Sequence, residues 1–205
     1  MGVIDYFSAQ LRKLGVRIEL GKEATALEVL AERPDVVVVA TGSVAVTGNI
    51  SGADRPAVLL APDVITGKQE TGARVVIVGG GQTGLETAEL LALKGKQVTV
   101  LEMLSEVGSD MEFITKVFMI PRLLQLGIVM RPNLRVEAIT EKGVQAAGEL
   151  FPADTVVLSV GLRSKDGLAE ALKGRVREVY TIGDCVKPRK LLDAIHEGAQ
   201  AARPI

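Results

Sequence analysis

Gly79-Gly80-Gly81-Gln82-Thr83-Gly84 constrains the fold more than any other stretch of this 205-residue chain. On its own the G-x-G-x-x-G spacing is weak, because a chain with 22 glycines can produce it by chance. Its surroundings are more specific. The loop follows Val75-Val76-Ile77-Val78, a β-branched run with the length of a buried strand, and leads into a helical pattern over Leu85–Lys94. The next strand, Gln97–Glu102, ends on an acid close to the roughly 20-residue offset expected after such a loop. Strand, glycine turn, helix, strand and acid in this order make the fingerprint of a dinucleotide-binding βαβ unit.

Each position then has a physical task. Gly79 permits the tight turn out of the strand, Gly81 lets a pyrophosphate approach the backbone, and Gly84 lets the helix pack closely on the strand. The N–H groups near Gln82 and Thr83 have no partner within the helix and offer charge to a phosphate. Glu102 accepts hydrogen bonds from the adenosine ribose hydroxyls, and its charge repels a 2′-phosphate. Met103 and Leu104 follow it rather than an arginine, so NAD(H) is expected over NADP(H). Two other readings stay open here: a tight strand–helix turn without a ligand, and an S-adenosylmethionine methyltransferase. The latter also has a glycine-rich turn and an acid, but leaves a later Gly-Asp segment unexplained.

Composition removes other classes. A formal charge of −1 provides no electrostatic footprint for nucleic acid. Mean hydropathy is positive, at +0.29, yet no apolar run approaches the 18 or more residues of a membrane span. The longest candidates, Val36–Ala40 and Val156–Leu158, have the length of buried strands. Asp5 near the start and the lack of a basic-then-apolar pattern argue against a signal peptide, so a cytoplasmic location is expected. One cysteine excludes an intrachain disulfide framework, and one histidine disfavours zinc chemistry. With 3% aromatics and no tryptophan, the core must be aliphatic.

Hydrophobic periodicity predicts an α/β alternation. Asp5–Leu14 reads as an amphipathic helix with Phe7, Leu11 and Leu14 on one face, stopped at Gly15. Val16–Leu20 reads as a strand, Ala24–Ala31 as a helix, and Asp35–Ala40 as a parallel strand covered on both faces. After a turn-rich stretch over Thr41–Pro56 come a strand at Val58–Leu60 and a helical turn at Pro62–Ile65. Beyond the glycine unit, Ser109 and Glu112 form an S-x-x-E box that places a helix start near Asp110. Pro121 predicts a kink in that helix, or two helices meeting near Ile120. Further strands are expected at Ile128–Met130, Arg135–Ile139, Gly143–Ala147, Thr155–Val160 and Val179–Ile182, the second and third as a small meander. Helices are expected at Asp166–Leu172 and Leu191–Ala202.

Three more segments carry a resemblance. Val37-Val38-Val39-Ala40-Thr41-Gly42-Ser43 and Tyr180-Thr181-Ile182-Gly183-Asp184-Cys185 resemble the ATG and GD motifs of two-dinucleotide flavoprotein reductases. Asp193-Ala194-Ile195-His196-Glu197-Gly198-Ala199 resembles the helix after the GD motif. Leu101-Glu102-Met103-Leu104 and Asp110-Met111-Glu112-Phe113-Ile114-Thr115-Lys116 bring the match closer to one group. In these segments the chain is similar to the C-terminal part of 2-enoate reductases and related NADH:flavin oxidoreductases of the Old Yellow Enzyme type. The similarity runs over essentially the whole chain.

The resemblance implies a Rossmann-like parallel sheet of the two-dinucleotide flavoprotein reductase type, with an NAD(H)-binding domain over residues 67–162 inserted into a partial FAD-binding domain made of 1–66 and 163–205. It places Gly79, Gly81, Gln82, Thr83, Gly84 and Glu102 on the NAD loop, and Gly161 and Leu162 where the inserted domain closes over the nucleotide. Glu86 matches a glutamate near the nicotinamide, with an ordinary helix-surface acid as the alternative. Thr41 and Gly42 lie on the ATG motif, while Gly183 and Asp184 fall on the FAD side, Asp184 toward the ribityl chain.

The family has two glycine loops, and the loop for FAD comes first; this chain has one. The FMN barrel and iron–sulfur cysteines are also absent from it, so FMN and the cluster are implied only upstream. The expectation is a fragment that lacks the first βαβ unit of the FAD domain and its N-terminal barrel, binds FAD weakly, and self-associates through an apolar face near Val36–Ala40 and Val179–Ile182. Its expected role is an electron-input module that passes hydride from NADH to FAD for reduction of an activated C=C bond. No residue is expected to act as nucleophile or general acid. A nucleotide-binding or interaction module without turnover is the alternative. Cys185 is expected to be a packing residue and His196 a structural one. The basic run Lys187-Pro188-Arg189-Lys190 is expected to be a solvated loop, with a flavin-phosphate or partner contact as the alternative.

Overall fold

The computed structural model describes residues 2–205. The chain begins with helices α1 (Val3–Lys13) and α2 (Ala26–Ala31), followed by strands β1 (Val36–Val39), β2 (Ser43–Ala45) and β3 (Val58–Leu60) and helix α3 (Ala61–Ile65). The glycine unit comprises β4 (Arg74–Val78), α4 (Gln82–Leu93) and β5 (Gln97–Leu101). After it come α5 (Phe113–Gln125), β6 (Val129–Arg131), β7 (Val136–Thr140), β8 (Gly143–Ala146), β9 (Glu149–Pro152) and β10 (Thr155–Leu158). The chain closes with β11 (Leu162–Ser164), α6 (Gly167–Leu172), β12 (Glu178–Thr181), a short 3₁₀ turn at Gly183–Cys185, and α7 (Leu191–Ala202).

A five-stranded sheet ordered β3-β10-β4-β5-β6 forms the centre, and every pair in it is parallel. Alternation along β4 explains why it is covered on both faces. Val75 and Ile77 face a layer containing Leu85, Ala88 and Leu91 of α4 and Leu123 of α5. Val76 and Val78 face Ile139, Val144, Ala146 and Phe151 of the antiparallel sheet β7-β8-β9. Apart from Phe151, the buried core is aliphatic, in line with the expectation from composition. β3 pairs with β10 through Val58↔Val156 and Leu60↔Leu158, so the central sheet includes a strand that precedes residue 67.

The termini build a thinner unit, where β1 and β12 form a two-stranded parallel ribbon and β2 and β11 an antiparallel pair. Helices α2 and α6 cover one side of the ribbon, in a cluster of Val37, Val39, Leu168, Ala169, Leu172 and Cys185. The single-sided cover corrects the expectation that β1 would be buried on both faces: Val38 remains 43% exposed. Helix α1 forms as predicted but buries no residue, so its apolar face has no covering layer.

Other expectations are also corrected. Val16–Leu20 is not a strand; among the described residues no strand pairs with it, and Leu20 is 89% exposed. Without a neighbour to satisfy its backbone, a β-prone run has no reason to extend. The helix expected from Asp110 begins at Phe113, and its N-cap Glu112 makes no side-chain cap. Pro121 neither splits nor ends it: α5 runs as one helix through that position to Gln125. The meander has a third strand, β9, and the turn-rich stretch contains β2; neither was expected.

Candidate functional site

In the central sheet the chain proceeds from β4 to β5 and β6 on one side, while β10 lies on the other. The direction of winding therefore changes between β4 and β10, and the loops after these two strands open a crevice at their C-terminal ends. Open parallel sheets commonly bind ligands at such a switch point.

The glycine loop sits at this point with little room to spare. Gly79 has φ +104°, and a Cβ there would overlap the carbonyl of Ser159 at the end of β10. A Cβ at Gly84 would overlap the Gly79 carbonyl oxygen and lie 3.1 Å from its carbon. These two glycines allow α4 to seat against β4 and β10. Gly81 is the N-cap of α4 and supplies no side-chain cap of its own.

A cavity of about 590 Å³ fills the crevice, within the usual range for small-molecule sites. Gly81, Gln82, Thr83 and Glu86 line it from α4, and Ser159, Gly161 and Leu162 from the β10–β11 connection. Asp110 stands at one side, and Pro188, Arg189 and Lys190 at another. The Gln82 amide donates to Glu86 Oε1 at 2.9 Å, which ties Glu86 to the first turn of α4. Six of the residues singled out from sequence thus meet in one cavity: Gly81, Gln82, Thr83, Glu86, Gly161 and Leu162. Gly79 and Gly84 shape it from behind.

Glu102 lies just beyond the end of β5 and is 8% exposed. Its Oε2 accepts from the Gly80 N–H at 2.6 Å, and its Oε1 from the Leu104 N–H at 2.8 Å. A carboxylate offers about four acceptor positions, so two backbone bonds leave it capacity for further donors. It also fixes the glycine loop to the end of β5. Arg131, opposite Leu101 in the neighbouring strand, is held by Glu149 at 3.0 Å and stacks 5.3 Å above the Phe151 ring. This guanidinium is engaged by Glu149 and Phe151.

Thr41, Gly42, Gly183 and Asp184 gather at the C-terminal ends of β1 and β12, outside the lining of this cavity. Asp184 Oδ2 accepts from Ser43 Oγ at 3.2 Å, and its Oδ1 accepts from the Arg189 N–H at 3.1 Å. The Gly183 N–H donates to Glu197 Oε2 at 2.6 Å, and Glu197 also pairs with Arg189. The Arg189 guanidinium and the Gly183 N–H hold the Glu197 carboxyl below the usual carboxylate range. For FAD the fit is partial. The Gly-Asp turn is present, but its groups are bonded to the chain itself, and the sequence has no second glycine loop for the FAD pyrophosphate.

Two features escaped the sequence reading. Asp110 caps α4, with the Gln82 N–H donating to its Oδ1 at 2.9 Å. Nothing in sequence spacing marks this contact, because the S-x-x-E box suggested a local cap for α5 instead. The basic run is the second: it is an exposed loop, as expected, but Arg189 and Lys190 also line the cavity, and Lys190 Nζ lies 3.1 Å from Glu112 Oε1. Cys185 is buried, its thiol donating to the carbonyls of Val39 and Ile182, while His196 lies on the exposed side of α7. Among the described residues, no group of three or more His, Cys, Asp and Glu is placed to hold a metal ion, and no helix is long and apolar enough to cross a membrane.

Residues 11–202 match the pyridine nucleotide-disulphide oxidoreductase family. An NADH oxidase of Thermoanaerobacter brockii is 38% identical over 97% of this chain and 32% of its own length. A cinnamate reductase of Clostridium sporogenes is 29% identical over 99% of the chain and 31% of its own length. Among solved structures, a 2-naphthoyl-CoA reductase in complex with 2-naphthoyl-CoA superposes with a TM-score of 0.93 at 37% identity, covering 98% of this chain and 32% of that one. The chain spans about a third of the length of the curated relatives it matches. Fold, motif order and these similarities agree with the resemblance read from the sequence, to the reductase part of ene-reductase-type flavoproteins: the chain belongs to the pyridine nucleotide-disulphide oxidoreductase family.

Proposed function

We propose that this chain is the NAD(H)-binding, electron-input part of a flavin-dependent ene-reductase. The observation that carries this reading is the convergence of the α4 N-terminus, Glu86, Gly161 and Leu162 on one cavity at the switch point of a parallel sheet. Residues 67–162 form the nucleotide-binding unit, with β3 and α3 packed on its edge. The N–H groups of the first turn of α4 take the pyrophosphate, since the helix terminus supplies both donors and favourable dipole charge. Glu102 takes the adenosine ribose while keeping its bonds to Gly80 and Leu104. Its negative charge disfavours a 2′-phosphate, and Arg131, engaged by Glu149, provides no compensating cation.

Glu86, steadied by Gln82, borders the nicotinamide, and Gly161 and Leu162 close over the ring from the β10 side. FAD, held in part by the Gly183-Asp184 turn, supplies the hydride acceptor when bound in the longer protein. FMN and an iron–sulfur cluster lie further along that electron path, ending at an activated C=C bond. The relatives named as a cinnamate reductase and a 2-naphthoyl-CoA reductase support this substrate class. The protein positions the cofactors, and the cofactors carry the chemistry.

Calorimetric titration of the chain with NADH, NADPH and FAD tests the proposal. NADH binding, with NADPH weaker and FAD weakest, is the expected order, and Glu102→Ala should weaken NADH. Equal affinity for NADH and NADPH would refute the role given to Glu102.

A further inference from the structure

The surface that glycine leaves open at position 81 is already covered by an anion. A Cβ built there would lie 3.2 and 3.3 Å from the two carboxylate oxygens of Asp110. One of those oxygens accepts the Gln82 N–H, a donor at the N-terminus of α4. A phosphate approaching the glycine loop meets this same backbone surface and this same donor. The Asp110 side chain therefore occupies the anion position of the cavity, with the charge sign and acceptor geometry of a phosphate oxygen.

The segment that delivers Asp110 folds over the loop through further contacts. The Gly108 N–H donates to the Gly80 carbonyl at 2.7 Å, and Glu112 pairs with Lys190 at 3.1 Å. Gly108 turns with φ +63°, and Asp110 itself is exposed, so its carboxylate has solvent to move into. Lys190 also lines the cavity and supplies a cation there. Arg189, its neighbour, is bound to Glu197.

We infer that Asp110 is an affinity-determining residue of this cavity, and that a dinucleotide pyrophosphate binds by displacing its carboxylate from the Gln82 N–H. The inference rests on the nucleotide reading above. Two anions cannot share the position: at contact distance their repulsion is substantial even when well screened. For an exposed group, helix-terminal anion interactions of this kind correspond to an effect of about two- to fivefold in affinity when the competing charge is removed.

The test is calorimetric titration of NADH into the wild-type chain, Asp110→Asn and Asp110→Ala, with inorganic pyrophosphate as a second probe. Asn retains an acceptor for the Gln82 N–H and keeps α4 capped without the charge. Its thermal midpoint checks that the fold is intact. Tighter binding of both probes by the two variants, by about two- to fivefold for Ala and less for Asn, supports the inference. If the wild-type chain binds NADH and folded variants bind it equally or more weakly, the inference is overturned and the nucleotide reading stands. If neither the wild-type chain nor a folded variant binds NADH, the nucleotide reading fails and takes the inference with it.

Discussion

Replacing Gly84 with alanine puts the packing of α4 to a quantitative test. The added Cβ would fall about an ångström inside the 3.0 Å approach that real Cβ atoms keep, and the atoms it meets are the backbone carbonyl of Gly79. That carbonyl is not a flexible end that can swing aside. The Gly79 N–H is bonded to Leu101, and the helix is pinned by Leu85, Ala88 and Leu91, each 2% exposed or less. Overpacking of a core against fixed groups costs about 1–3 kcal/mol and at times more, whereas Gly-to-Ala in a helix interior returns about 1 kcal/mol.

A backbone clash belongs at the top of that range, so the net loss should be about 2 kcal/mol, or a fall of roughly 4–8 °C in melting temperature for a chain of this size. Gly198→Ala provides the control. Gly198 is also inside a helix, α7, but the nearest atom to its Cβ is Ile182 Cδ1 at an ordinary 3.8 Å. There the same substitution should raise the melting temperature by a few degrees, because only the propensity gain remains. Thermal unfolding followed by circular dichroism measures both. A Gly84→Ala variant as stable as wild type, or stabilised like Gly198→Ala, would refute the close helix–strand contact on which the cavity is built.

Two further outcomes follow from particular residues. Pro121 sits exposed inside α5, which continues through it, so Pro121→Ala should restore a helix bond and relieve a clash, raising stability by about 1–2 kcal/mol; an unchanged or lower melting temperature would contradict this. Asp154 is held at a pKa of about 2, below its ordinary 3.8, by the guanidinium and backbone N–H of Arg74. Its folded pKa is depressed, so its stabilisation is present above pH 3.8 and is lost as the pH falls toward 2. Thermal midpoints measured through that window should fall less steeply for Asp154→Asn than for wild type; parallel curves would sink the assignment.

The parts of the fold legible in the sequence are those whose signals are local and agree with their surroundings. β4, α4 and β5 appeared within a few residues of their expected bounds, because alternating burial, glycine geometry and helix spacing all favour one arrangement. The misses arise where a distant partner decides. Val16–Leu20 has strand residues but no strand beside it. Val36–Val39 is uniformly apolar, yet α2 and α6 cover only one of its faces. At Ser109–Glu112 a local box was outcompeted when Asp110 capped α4 instead, a contact between segments far apart in the chain. Pro121 raises the energy of α5 without ending it, since packing of Leu123, fully buried in the core, offsets the local cost. In the cavity, the glycine loop and Gly161-Leu162 were readable from motif order, but Arg189 and Lys190 were not: a short basic run has the same appearance on any surface.

In the proposed function the α4 N-terminus holds the nucleotide. Amide chemical-shift mapping of the isotopically labelled chain on addition of NADH tests it most directly. Saturable shifts concentrated at Gly81, Gln82, Thr83 and Gly161, extending to Glu102 and Asp110, are the expected result. Shifts confined to Thr41, Gly42, Gly183 and Asp184, or no saturable shift at all, would contradict it.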